Sequence, residues 1–320
     1  MLKAVILAAG QGTRMKSRLP KVIHKVMGKC MVEHAIHAAR QAGADEICVV
    51  VGHGAEMVKT EILSGKESSG ITFVTQEQQL GTGHAVRCAR DFIGTEGETL
   101  ILFGDTPLIT GETLDRLVST HRNNGNSITV LSAVIDNPAG YGRIIRDSEG
   151  FFVKSVEHKD ATEEERRCKE VNSGMYVFNS AQLYEALDLL ENDNAQGEYY
   201  LPDTLMIIKA KGLKVDAMVA EDATEIEGVN SRVQLAGAEA IMKLRINRKW
   251  MEAGVTLIDP ATTYITPDVD IENDVVIYPN TFIAGNTVIH AQSVIGPFSY
   301  LENAVVDEGS ELPPYTKLMG

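Results

Sequence analysis

Three short stretches of the chain hold residue types that could handle phosphate and a nucleobase. The first, LAAGQGTRMKSRLPK, follows a strand-like run near the first residue and carries Gly10, Gly12, Arg14, Lys16, Arg18 and Lys21. Glycines in such a loop let the backbone approach a ligand and take positive φ. Consecutive N–H groups can then cradle anionic oxygens. Arg14 can chelate phosphate oxygens in a fork, whereas Lys21 acts as a mobile point charge. A surface turn with unrelated basic residues would read the same in isolation. The spacing is not G-x-G-x-x-G, since residue 15 is Met, and it is not the Walker A pattern. The second stretch, LILFGDTP, places Asp105 just beyond a strand. Ligands of an open parallel sheet sit at the carboxyl ends of its strands. Asp105 would therefore face the same crevice as the glycine loop and suits Mg²⁺, which shares hard oxygen donors with substrate phosphates. The alternative is a turn or helix-cap aspartate. The third stretch, TQEQQLGTGHA, offers Gln76 and Gln79, whose paired donors and acceptors suit a base edge. Gly81 and Thr82 could bring backbone atoms close to that base; alone, the stretch also fits an ordinary polar loop.

These residues need a scaffold, and the pattern up to about residue 135 supplies one. Apolar runs KAVILAA, EICVVVG, ITFVTQ, TLILFGD and SITVLSAVI alternate with helical stretches VEHAIHAARQAG, AEMVKTEILSG, GHAVRCARDFI and TGETLDRLVSTHRNN. Short continuous apolar runs suit strands buried on both faces, and their alternation with helices gives βαβ units and a largely parallel sheet. From 140 to 230 the pattern loosens: a hairpin turning at DSEG, a strand VNSGMYVFNS, helices AQLYEALDLL and LPDTLMIIKAKG, and a returning strand KVDAMVAE. This reads as a substrate-facing half of the same α/β domain. SRVQLAGAEAIMKLRINRKWMEA (231–253) reads as a long connecting helix, with Trp250 as a packing anchor.

The segment 254–320 has a period of six. Ile265, Ile271, Ile277, Ile283, Ile289, Ile295 and Leu301 recur at that interval, each followed four residues later by Val269, Val275, Thr281, Thr287, Ser293, Ser299 and Val305. Neither a helix nor a simple strand has that period. A triangular prism with about 18 residues per turn does, which predicts a short parallel β-helix of two to three coils, and the segment resembles the left-handed hexapeptide-repeat family. Its open ends favour association with further copies.

At 320 residues, with 44% hydrophobic and 23% charged residues, the chain has room for a large core and two domains. A net charge of −14 opposes nonspecific nucleic-acid binding but leaves room for anionic small substrates at a local basic loop. The apolar run Ala4–Ala9 is too short for a secretory core or a membrane span. The scattered Cys30, Cys48, Cys88 and Cys168 read as reduced thiols, and a cytoplasmic location is expected.

Taken in order, LAAGQGTRM with LPK, QLGTGHA, FGDTPL, GYGRI, VEHKDAT, VNSGMYVF, NAQGEYYLPD and EGVNSRVQL span nearly all of residues 1 to 235. This set resembles the sugar-nucleotidyltransferase family, and within it the bacterial N-acetylglucosamine-1-phosphate uridylyltransferases; NAQGEYYLPD and EGVNSRVQL carry the narrower likeness, and the prism agrees with it. The resemblance implies a Rossmann-like α/β domain over 1–230, a linker helix over 231–253 and the β-helix over 254–320. It implies a Mg²⁺-dependent enzyme that joins UTP to N-acetylglucosamine-1-phosphate and supplies UDP-N-acetylglucosamine for the cell wall. Leu7, Ala8, Ala9 and Gly10, with Gln76, Gly81 and Thr82, would hold uracil and ribose. Arg14 and Lys21 would act on the triphosphate, and Asp105 and Asn230 would hold Mg²⁺. Gly140, Glu157 and Asn172 would bind the sugar, against the alternatives of a solvated strand residue for Glu157 and a strand-end cap for Asn172. Tyr199 and Tyr200 would line the sugar pocket or simply pack.

The family's long form carries an acetyltransferase on a much longer prism. Here the repeat fades after Val305, His290 is the prism's only histidine, and no acetyl transfer is expected. Pro313 and Pro314 would cap the open end, which favours a natural short form. The implied assembly is a homotrimer through the β-helix, with no nucleic-acid or membrane partner. Two rival readings are a related enzyme using glucose-1-phosphate or TTP, and a non-catalytic scaffold subunit. The second has no use for Arg14, Lys21, Asp105 and Asn230 together.

Overall fold

The apolar runs become the interior of a nine-stranded mixed sheet in the computed structural model of the chain, which describes residues 1–194 and 196–320. Ala195, inside the NAQGEYYLPD motif, lies outside the described residues. The strands are β1 (Leu2–Ala8), β2 (Glu46–Val51), β3 (Ile71–Thr75), β4 (Glu98–Phe103), β5 (Ile128–Val134), β6 (Gly142–Arg146), β7 (Phe152–Val156), β8 (Glu170–Asn179) and β9 (Val215–Val219). Their order is β9-β5-β8-β4-β1-β2-β3, with β6 paired to β8 and β7 to β6. β1 runs parallel to β2 and β4, so the segments that leave β1 and β4 emerge side by side. β8 is antiparallel to both β4 and β5, which makes the sheet mixed but mostly parallel.

Central strands lack polar alternation because both faces are covered. Val5 and Ile101 face one apolar cluster; Ile6 and Leu102 face another. The helices that supply this cover include α1 (Met31–Gln41), α2 (Ala55–Ser64), α3 (Thr82–Cys88), α4 (Gly111–Asn124), α5 (Ser180–Asp188) and α6 (Asp203–Ala210). GHAVRCARDFI does not form one helix. It breaks at Ala89, and a single turn Arg90–Ile93 follows, which keeps Ala85, Val86, Ala89 and Ile93 all on one cluster. The DSEG turn forms as expected: Asp147 Oδ1 accepts from the N–H groups of Glu149 and Phe151, at 3.0 and 2.9 Å. All four cysteines are free thiols, and burial pushes that of Cys48 up to about 12.

Packing divides the chain into two compact units: residues 1–24 with 30–231, and residues 25–29 with 232–320. In the second, helix α7 (Arg232–Glu252) is held through Lys243, Asn247 and Trp250 in its second half. Asn247 Nδ2 donates to the carbonyls of Pro260 and Thr263, at 2.9 and 3.0 Å. The Lys243 ammonium lies 4.4 Å from the Tyr264 ring centre. Trp250 joins the prism core as an anchor.

The prism has three parallel faces of four, four and three short strands, more than the two to three coils its repeat suggests. Ile265 to Leu301 all point inward, as their period requires. Val305 does not sit where the period places it: it is 62% exposed, while Val306 turns inward at 2%. The pairing explains this. Val288 pairs with Val305 and Val294 with Glu311, seventeen residues on, whereas Val276 pairs with Val294 at eighteen. The repeat therefore shifts by one residue and continues through Leu312 and Leu318. Pro313 and Pro314 occupy a corner within this last coil, because Lys317–Met319 still pairs with Tyr300–Glu302 after them.

Candidate functional site

The loop leaving β1 keeps its N–H groups open. Among the described residues, the backbone N–H groups of Gly10 to Arg14 donate no hydrogen bond; the next donor is Met15, to Gly12 O at 2.9 Å. Only one of the two glycines needs its freedom. Gly12 has φ +63°, and a Cβ there would come within 2.5 Å of Lys21 Cβ. Gly10 is not in the positive-φ region, and a Cβ on it would meet nothing within 4 Å. The loop therefore folds back on the stem of Lys21 and leaves open space at Gly10. Lys21 starts a 3-10 turn whose Val22 and Ile23 are buried, which fixes its Cα.

The Lys21 ammonium bridges two oxygens from distant parts of the chain. It pairs with Asp105 Oδ2, just past the end of β4, and donates to Asn230 Oδ1 at 2.8 Å. Asn230 is brought there by a backbone bond from Val229 N–H to Asp105 O of 2.8 Å. Its Nδ2 lies 3.3 Å from Gly228 O, which turns Oδ1 toward the lysine. One carboxylate oxygen and one amide oxygen thus converge on a single cationic atom. Arg14 is exposed and has no hydrogen bond or ion pair among the described residues.

Two cavities adjoin at this point and share Thr82, Phe103 and Glu198. The smaller, about 280 Å³, is lined by Leu7, Ala8, Ala9, Gly10, Lys21, Gln76, Gly81, Thr82 and Asp105 among others. Gln79 Nε2 donates to Ala9 O at 2.7 Å and so serves the wall rather than a ligand. Gly81 has φ +102°, and a Cβ there would lie 2.6 Å from Tyr199 O. This close approach is sealed by Tyr199 N–H to Leu80 O and Gly83 N–H to Tyr199 O, both 2.8 Å.

The larger cavity, about 630 Å³, is lined by Arg14, Gly140, Glu157, Asn172, Tyr200 and neighbouring residues. Asn172 faces Gly142 across the β8–β6 pair. A bulge follows Asn172, where Gly174 takes φ +82° over the Phe103 ring. Asn172 is held rather than loose: Oδ1 accepts from Gly174 N–H at 2.8 Å, and Nδ2 donates to Ser155 Oγ at 3.1 Å. Glu157 has no hydrogen-bond partner for its carboxylate among the described residues. Burial, and then the charges of Asp203 and Asp160, raise its pKa above the ordinary glutamate range.

Leu7 to Gly10, Lys21, Gln76, Gly81, Thr82 and Asp105 line the smaller cavity, Arg14, Gly140, Glu157 and Asn172 line the larger, and Asn230 meets the lysine, whereas Gly12, Lys16, Arg18 and Tyr199 line neither. The two tyrosines separate: Tyr200 lines the larger cavity, whereas the Tyr199 ring lies 4.6 Å from the Arg87 guanidinium and its backbone clamps Leu80 and Gly83. Sequence reasoning missed Glu198, common to both cavities, and the Ser155 and Tyr176 contacts that hold Asn172. Glu198 was within reach, since it stands in NAQGEYY; the holders of Asn172 depend on a strand pairing that no local pattern gives.

Residues 3–255 match the family model described as nucleotidyl transferase. A curated relative from Caldanaerobacter subterraneus subsp. tengcongensis, named bifunctional protein GlmU, is 54% identical over 308 residues, covering 96% of this chain and 66% of its own length. A second of that name, from Clostridioides difficile, is 50% identical over 310 residues, covering 97% and 66%. The chain thus spans about two thirds of the length of these relatives. A Bacillus anthracis crystal structure, described as a candidate glucose-1-phosphate thymidylyltransferase in complex with sucrose, superposes with TM-score 0.62 at 19% identity, over 75% of this chain and 95% of that one. At that identity the likeness speaks for the fold alone.

Proposed function

The chain belongs to the nucleotidyl transferase family, and on that premise we propose that it transfers uridylyl from UTP to N-acetylglucosamine-1-phosphate, forming UDP-N-acetylglucosamine and pyrophosphate. The observation that carries the proposal is the convergence of Lys21, Asp105 and Asn230 beside two adjoining cavities, one lined by Gln76, Gly81 and Thr82 and the other by Gly140, Glu157 and Asn172. The family resemblance carried by Gln76 and NAQGEYY favours uracil and the N-acetylated sugar.

A phosphate oxygen of the sugar phosphate attacks the α-phosphorus of UTP, the new P–O bond forms, and the bond to the leaving pyrophosphate breaks. Both reactants are anions, so the protein has to align them and offset their repulsion. The open N–H groups of Gly10 to Arg14 receive phosphate oxygens, with Arg14 and Lys21 adding charge. Gln76, Gly81 and Thr82 hold the base and ribose. Gly140, Glu157 and Asn172 fix the sugar, and hence the attack angle.

Asp105 and Asn230 fit a divalent cation, since their oxygens already converge on a positive charge. A set of only two protein oxygens suits Mg²⁺, which keeps waters and takes substrate phosphates as further ligands. Bound there, Mg²⁺ would neutralise charge on the triphosphate.

We place the enzyme in the cytoplasm and as a trimer through the prism. No described helix is long and apolar enough to cross a membrane. Phe298 and Tyr315, 51% and 75% exposed on the prism, are suited to cover by another copy; sedimentation would read the assembly. The activity test is pyrophosphate release with Mg²⁺, crossing UTP, TTP, ATP and CTP against N-acetylglucosamine-1-phosphate, glucose-1-phosphate and glucosamine-1-phosphate. A maximum away from UTP with N-acetylglucosamine-1-phosphate refutes the substrate pair. Arg14→Ala and Asp105→Ala should each raise the barrier by about 2–4 kcal/mol without unfolding the protein.

A further inference from the structure

His84 has no role in the transfer as described, yet it touches the side chain that faces the base. Gln76 is 5% exposed, and its backbone N–H is tied to Val51 O at 2.8 Å. Its Nε2 lies 3.1 Å from Gly81 O. A carbonyl oxygen can only accept, so the NH₂ end of the amide faces it. The same Nε2 lies 3.0 Å from His84 Nδ1. A donor there requires a lone pair on Nδ1, which places the imidazole proton on Nε2. Both amide protons are then committed to the protein. Oε1 is left as the polar atom available on a residue that lines the smaller cavity. His84 is itself placed by the N-terminal turn of α3, where Gly83 N–H bonds to Tyr199 O at 2.8 Å.

We infer that His84 is a positioning residue: it holds the Gln76 amide with its oxygen toward the base, so that the site accepts pyrimidines carrying an N3–H and rejects cytosine. The inference rests on the proposed pyrimidine nucleotide. A fixed acceptor meets the N3–H of uracil or thymine but opposes the lone pair on N3 of cytosine. Uracil and thymine are not separated by this contact. Gly81 O alone still favours the same amide orientation, so removing His84 weakens the choice without abolishing it.

The test compares kcat/KM for UTP and CTP in wild type, His84→Leu and His84→Asn, the last of which restores an acceptor near Nδ1. His84→Leu should lower the UTP-to-CTP ratio by about five- to tenfold, mostly through KM, and His84→Asn should keep it within about twofold of wild type. A folded His84→Leu enzyme with an unchanged ratio overturns the inference, as does a His84→Asn enzyme that matches it. If His84→Leu does not fold, the wild type still decides: ¹⁵N-histidine NMR should show His84 as the Nε2–H tautomer, and an Nδ1–H tautomer overturns the inference. A wild type that does not favour UTP or TTP over CTP refutes the pyrimidine reading itself, before any variant is compared.

Discussion

Replacing Lys21 by methionine removes a cation from between two oxygens and should open that point to a metal. The Lys21 and Asp105 side chains are 13% and 16% exposed, so their pairing is only partly screened. Hydrogen bonds to charged groups contribute about 1.5–3 kcal/mol each. A metal that takes Asp105 and Asn230 must first release the ammonium, and that release opposes binding. At about 1.4 kcal/mol per factor of ten, Lys21→Met should bind metal roughly 10- to 100-fold more tightly in the absence of nucleotide. Manganese is a suitable probe, because free Mn²⁺ is read directly by electron paramagnetic resonance without turnover. Thermal melting gives a second readout: the variant should melt below wild type without metal and gain more on adding it. Turnover should nonetheless fall, because the released ammonium is the charge that meets the triphosphate. Unchanged or weaker Mn²⁺ binding by folded Lys21→Met would refute the competition between lysine and metal.

Glu157→Gln should weaken sugar-phosphate binding by about 1.5–3 kcal/mol, seen as a raised KM. Stability should move the other way. Burial and the nearby aspartates raise the Glu157 pKa in the fold, so its stability contribution is full below the ordinary glutamate range and lost as pH rises through the folded value. The variant should therefore melt above wild type at pH about 7, with the difference closing below about 4; an opposite sign refutes the assignment. Gly12→Ala forces positive φ on alanine, a strain of about 1–2 kcal/mol, and pushes against Lys21 Cβ. Turnover should drop by about 10²-fold as the loop shifts, and steady-state rates on folded protein check this. Ile289→Ala, in the prism core, should cost about 2–5 kcal/mol of that unit's stability, followed through fluorescence of Trp250, which packs in the same cluster.

The α/β core was legible because buried strands and amphipathic helices alternate in the sequence. The loop at Gly10–Lys21 and the aspartate after β4 were legible for the same reason: strand ends in a parallel sheet share one edge. The sugar side was not. Gly140 precedes β6, Glu157 follows β7 and Asn172 lies in β8, and only the antiparallel pairing of these strands, with Gly142 opposite Asn172, and the bulge at Gly174 bring them together. Resemblance placed these residues; local pattern did not. A glycine inside an otherwise regular strand was the available sign of the bulge. The orientation of Gln76 lay further out of reach, because it depends on a carbonyl and a ring nitrogen that converge only once α3 has docked on Tyr199. In the prism the repeat was clear from Ile265 to Leu301 and then lost, since one missing residue ends a fixed-period match while leaving the stack intact.

That shortened coil says where such a stack tolerates a change of length. Tyr264 pairs with Phe282 eighteen residues on, Thr256 with Val276 twenty on, and Val288 with Val305 seventeen on, yet each strand still lies parallel to its partner. The extra residues fall in the turn after Leu257 and the missing one in the turn before Val305. A residue gained or lost within a two-residue strand would instead exchange inward and outward side chains. Length therefore drifts at two of the triangle's three edges while the faces stay in phase, and members of such a family should be aligned by which coil lies above which, with gaps admitted at the edges.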